Sequence, residues 1–150
     1  MKKNLKEAQI FTPRWVTNEM LDMLDQNVFK DENTLFFEPS CGNGEMLIVI
    51  IERIYNALLE KYDNDKEKAF ADCLFKFYAI ELDDNLVVEA RMKIYKFFID
   101  KLNSEIVDTK KLSQIIIARQ LCEKIECKNF FDIFKKHPQH KVKKHEKHTD

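Results

Sequence analysis

Apolar positions recur along this chain with two different periods, and the switches between them outline its elements. From residue 13 to 25, Val16, Met20, Leu21, Met23 and Leu24 follow at roughly helical spacing. Pro13 suits a first helical turn, and Thr12 before it is a good N-cap. Residues 34–38, TLFFE, are a short apolar run closed by Pro39, which predicts a buried strand of the parallel kind. From Glu45 the helical period returns in Leu47, Ile50, Ile51, Ile54, Ala57 and Leu58, until the polar stretch 61–68 ends it. Residues 74–82, LFKFYAIEL, predict a second strand ending at Glu81. Asp83, Asp84 and Asn85 then cap a helix whose face carries Leu86 or Val87, Ala90, Ile94, Phe97 and Phe98. Residues 105–126 fit a helix better than a strand through Ile115–Ile117, and 129–134, NFFDIF, predict a third strand with Asp132 near its end.

Strands alternating with helices imply an α/β fold with parallel strands, right-handed crossovers and a doubly wound, Rossmann-like sheet. Ligands of such sheets bind beyond the carboxyl ends of the strands. The loop after the first strand, Glu81 and Asp132 would all meet at that edge.

Composition sharpens the view of that first loop. The chain of 150 residues has two glycines, Gly42 and Gly44, both within EPSCGNGE; a usage of about 7% would supply roughly ten. Glycine is needed where φ is positive or where something approaches the backbone closely, so the pair suggests a loop shaped around a ligand. The size and the 45% apolar share predict one globular domain over 1–134. Residues 135–150 hold six Lys against two acidic residues, a balance of +4, so the rest carries −5 of the total of −1. That segment predicts a basic, His-rich tail. Its His137, His140, His145 and His148 make a poor metal site on a flexible segment, and no metal is expected. The four cysteines lack C-x-x-C spacing and suggest reduced thiols. With neither an apolar leader segment nor a membrane-length run, the expected compartment is the cytoplasm.

The loop is not a dinucleotide fingerprint, because Leu47 stands where G-x-G-x-x-G requires glycine, and it lacks the G-K-[ST] of a P-loop. Glu38 and Glu45 flank it and would repel a pyrophosphate. A nucleoside with cationic character and no phosphate suits these carboxylates, with Glu81 placed for ribose hydroxyls. S-adenosylmethionine has those properties.

QIFTPRWVTNEMLDML, LFFEPSCGNGEML and FYAIELDDNLVVEARMKI resemble successive motifs of adenine-specific (N6) DNA methyltransferases, in the order found where F-T-P precedes the glycine loop, as in restriction–modification systems. NFFDIF is similar to the next motif, so the resemblance runs from 9 to about 134. It implies a Rossmann-like methyltransferase fold with S-adenosylmethionine as cofactor and DNA as substrate. It places Phe11, Thr12 and Pro13 at the cofactor's methionine side and Glu38 at its amino group. Ser40, Cys41, Gly42 and Gly44 would give close backbone approach. Glu81 would hold the ribose hydroxyls, Leu82 would pack on the adenine, and Asp132 would sit beside the adenine amino group or the target base.

The family's catalytic (Asn/Asp)-Pro-Pro-(Tyr/Phe) motif is absent from these residues, whose prolines are Pro13, Pro39 and Pro138. The expectation is a truncated or separately encoded portion with no catalytic residue of its own, inactive alone, which a second chain carrying that motif and a recognition domain would complete. Two alternatives stay open: a methyltransferase fragment acting on RNA or protein glutamine, and a non-catalytic cofactor-binding module.

Overall fold

The computed structural model describes residues 11–105 and 110–134. The predicted tail, 135–150, and the start of the F-T-P segment, Gln9 and Ile10, lie outside the described residues. Three parallel strands, β1 (Phe36–Glu38), β2 (Phe77–Glu81) and β3 (Ile125–Cys127), form a sheet in the order β1-β2-β3. The helices are α1 (Arg14–Asp22), α2 (Glu45–Lys61), α3 (Lys66–Phe75), α4 (Asp84–Glu105), α5 (Lys110–Lys124) and α6 (Phe130–Phe134), with a 3₁₀ turn at Gln26–Phe29. The α/β class and parallel strands are as expected.

Local chemistry explains where the observed elements depart from the periodic pattern. Pro13 is itself the N-cap of α1, with extended ψ of 147°, and its carbonyl accepts from Thr17 N–H at 3.1 Å. Thr12 therefore does not cap. Helix α3 was not expected. The Asp65 side chain caps it by accepting from Lys68 N–H at 3.1 Å, and it absorbs Leu74 and Phe75, so the second strand begins at Phe77. Asp65 lies inside a polar stretch that reads equally as loop, which hid the cap. The third strand is likewise displaced. Ile125–Cys127, the end of the expected helix, pairs with Ala79–Glu81, whereas 129–134 turns helical. The Asn129 carboxamide oxygen accepts from Phe131 N–H at 2.9 Å and its carbonyl from Asp132 N–H at 3.1 Å, so the asparagine that seemed to open a strand starts a turn.

Register divides the sheet into unequal faces. Phe77, Ala79 and Ile125 point into one core with the buried sides of α2, α3, α4 and α5, and all three are fully buried. Tyr55, Phe29, Phe77 and Phe98 are its largest members, and the Phe98 ring contacts Phe70, Phe77 and Phe97. The opposite face carries Phe37, Tyr78, Ile80 and Glu126. There Phe37 stacks on Tyr78 and on Phe130 of α6, yet stays 41% exposed. Among the described residues, α2, α3, α4 and α5 bury one face, and on the other Ile80 is fully buried while Phe37 stays partly exposed.

Candidate functional site

Three backbone links position the loop 39–44 at the carboxyl edge of the sheet. Cys41 N–H donates to the Ile80 carbonyl at 3.0 Å, Gly44 N–H to the Cys41 carbonyl at 2.9 Å, and Gly42 N–H to the Glu81 carboxylate at 2.9 Å. Both glycines have positive φ, +53° at Gly42 and +86° at Gly44. Their reasons differ. A Cβ on Gly42 would lie 3.3 Å from the Phe11 ring, on the side of the loop that faces the cavity. A Cβ on Gly44 would lie 3.1 Å from Ala90 Cα, where α4 crosses the start of α2. Gly44 therefore serves the approach of α4 rather than that of a ligand. Gly44→Ala combines a strained φ with a backbone clash and should destabilise by about 2–3 kcal/mol. Urea unfolding followed by circular dichroism measures this.

The loop opens on a cavity of about 330 Å³. Phe11, Thr12, Glu38, Ser40, Cys41, Gly42 and Glu81, all expected at the site, line it. Glu45, Met46 and Leu86 complete the lining. The first was noted as a flanking charge; the other two read simply as apolar helix positions, and nothing in their spacing marks them. Four expected residues fall elsewhere. Pro13 caps α1, and Gly44 faces Ala90. Leu82, one residue beyond the end of β2, is 67% exposed and outside the lining, which Leu86 joins. Asp132 sits in the first turn of α6 and is not at a strand end.

Among the described residues, three carboxylates, Glu38, Glu45 and Glu81, line the cavity, and no Lys or Arg does. Glu45 is paired with Lys93. Among the described residues Glu81 is held by backbone N–H groups: one oxygen accepts from Gly42 N–H, the other from Leu82 N–H at 2.7 Å and Asp83 N–H at 3.1 Å. Burial first, then the charges of Glu81 and Glu38, push the Cys41 thiol up to about 12, so it is no nucleophile at neutral pH. A second cavity, of about 360 Å³, lies at the amino ends of the strands around Thr34 and Lys76. It is slightly larger, but open α/β sheets bind ligands at the carboxyl edge. Among the described residues no group of three His, Cys, Asp or Glu is placed to hold a metal ion, and no helix is long and apolar enough to cross a membrane.

Burial raises the Glu38 carboxyl above its usual 4.5; the nearby Glu81 charge adds to this and a bond from Ser40 N–H opposes it. A raised folded pKa means that Glu38 contributes stability in full below pH 4.5 and loses it as pH rises through the folded value. A cation in the cavity reverses the preference, since it favours the ionised form. Binding of a cationic ligand should therefore release a proton and tighten as pH rises from 4.5 towards neutrality. Affinities measured across that interval for the native chain and Glu38→Gln check this, and the variant should give the flatter profile.

Compared with protein-family models, curated proteins and solved structures, the chain gives no match.

Proposed function

We propose that this chain is the S-adenosylmethionine-binding portion of a site-specific DNA adenine-N6 methyltransferase of the restriction–modification type. The observation that carries the proposal is the position of Glu81. It ends the second strand of a parallel sheet and accepts from the two-glycine loop at the edge of a cavity whose described lining holds three carboxylates and no Lys or Arg. Such a cavity disfavours phosphates and favours a nucleoside bearing positive charge.

The residues present fit that cofactor. Glu81 would hold the ribose hydroxyls, Glu38 the amino group and positive charge, and Phe11, Met46 and Leu86 the apolar parts. When bound, the cofactor supplies an activated methyl group on sulfonium sulfur. These residues bind and orient it, and the contribution to rate is proximity. Acceptance of the target adenine belongs to the N-P-P-Y motif, which these 150 residues lack, so it would come from outside them.

Calorimetry with S-adenosylmethionine, run beside a methyl-transfer assay on duplex DNA, tests the proposal. Saturable binding without transfer is expected. A folded chain that does not bind overturns the cofactor reading, and transfer by the chain alone overturns the assignment of the catalytic motif to residues beyond it. A methyltransferase of RNA or of protein glutamine would share the same cavity. The F-T-P segment, whose Phe11 and Thr12 line that cavity, favours the DNA reading by resemblance.

One observation favours a second reading, a module completed by another polypeptide. Parallel sheets are ordinarily covered on both faces, but Phe37 and Phe131 remain 41% and 69% exposed on and beside the face that carries α6. Sedimentation of the purified chain with the product of a neighbouring reading frame that encodes an N-P-P-Y motif distinguishes a completed enzyme from a lone module.

A further inference from the structure

The Glu81 carboxylate has about four acceptor positions, and backbone N–H groups take three of them. Two of those donors, Leu82 and Asp83, belong to the turn that follows β2 and are fixed by their place in the chain. The third, Gly42 N–H, comes from across the cavity, 39 residues away. One position is left, which suffices for one hydroxyl and not for a vicinal pair.

A second observation concerns the same loop. The Asn43 side-chain oxygen is buried with no hydrogen-bond partner among the described residues. An unsatisfied buried acceptor costs about 1–3 kcal/mol. The arrangement that places Gly42 N–H on Glu81 thus leaves the Asn43 oxygen without a partner among the described residues. Such a group in a loop with two positive-φ glycines points to a second conformation that relieves it.

We propose that Glu81 and Gly42 form a latch: Glu81 holds the glycine loop through Gly42 N–H, and a ligand with two neighbouring hydroxyls displaces that bond and resets the loop. The inference rests on the cofactor reading above and adds the coupling between recognition of the diol and the loop. It makes Glu81 a positioning residue for the loop as well as a ligand contact, and it predicts discrimination between a ribonucleoside and its 2′-deoxy counterpart that is visible in the backbone. The freed Gly42 N–H becomes a donor for an acceptor on the ligand. Gly44 is outside the latch, because its N–H donates to the Cys41 carbonyl and its bare face is against Ala90.

The two glycines make the test direct, since labelling with ¹⁵N-glycine leaves two backbone signals. The labelled full chain is titrated with adenosine, 2′-deoxyadenosine and S-adenosylmethionine, with binding followed in parallel by calorimetry. Adenosine and S-adenosylmethionine should shift the Gly42 amide proton upfield as it loses a carboxylate acceptor, with Gly44 nearly still. 2′-Deoxyadenosine carries the same base, so it reproduces any ring-current effect, and it should leave Gly42 near its free position. Glu81→Gln, checked for folding by circular dichroism, should start upfield without ligand. Calorimetric binding with Gly42 unmoved overturns the latch and leaves the cofactor site standing. Equal shifts from adenosine and its 2′-deoxy form overturn the diol coupling. No calorimetric binding of S-adenosylmethionine or adenosine overturns the cofactor reading and the displacement together.

Discussion

Glu81→Ala is expected to weaken S-adenosylmethionine binding roughly 30- to 150-fold, with a smaller loss of stability. Hydrogen bonds to a charged acceptor are worth about 1.5–3 kcal/mol each and do not add fully, so loss of the contacts to a diol should cost about 2–3 kcal/mol; tenfold in affinity corresponds to about 1.4 kcal/mol. The same carboxylate anchors Gly42, Leu82 and Asp83 N–H groups, and its removal returns them to water. That should lower stability by about 1–2 kcal/mol. Calorimetric titration gives the first number and denaturant unfolding the second. A folded variant that binds as tightly as the native chain removes Glu81 from the site. Glu81→Gln, which retains one acceptor oxygen and loses the charge, should fall between the two on both measures.

The edge of the sheet that holds the candidate site was legible in the sequence because its determinants are local. Gly42 and Gly44 require their backbone conformations wherever the chain goes, and an apolar run ending in an acid marks Glu38 and Glu81 as strand ends. Seven cavity residues followed from those signals and from the F-T-P segment. What periodicity could not show depends on packing or on a single cap. Asp65 and Asn129 each start a helix through one side-chain oxygen, and in a stretch of mixed polar residues that signal looks like any loop. Ile125 belongs to a strand because Ala79 is there to pair with it, not because of its neighbours in sequence, which continue the pattern of α5. The role of Gly44 was legible as a need for glycine, but not as a contact with Ala90, a residue 46 positions on. Leu86 entered the lining the same way, through the crossing of α4 over the loop. The partial exposure of Phe37 was invisible to periodicity, since a buried strand and a strand with one partly bare aromatic carry the same apolar residues.

Phe98→Ala should produce the largest loss of stability, about 3–5 kcal/mol, as expected for removing a fully buried aromatic ring. Phe98 joins three parts of the core: it stacks near Phe77 on the sheet and meets Phe70 of α3 and Phe97 of its own helix edge-on. Its loss leaves a cavity at a junction that close-packed neighbours on three sides cannot collapse into. The consequence is global because Phe98 links β2, through Phe77, to α3 and α4. At about 2–4 °C per kcal/mol for a chain of this length, the midpoint of thermal unfolding should fall by roughly 6–20 °C. Phe98→Leu, which keeps most of the volume, should lose clearly less. The variant also separates fold from site, since Phe98 lies outside the cavity lining while Leu86, near the start of the same helix, is part of it. Below its unfolding transition, Phe98→Ala should bind S-adenosylmethionine with close to native affinity, whereas Glu81→Ala, the more stable of the two, should not. A Phe98→Ala chain that is folded and has lost binding in proportion to its stability would mean that the acidic cavity is not preorganised by the loop and strand ends, but is drawn together by the core behind it.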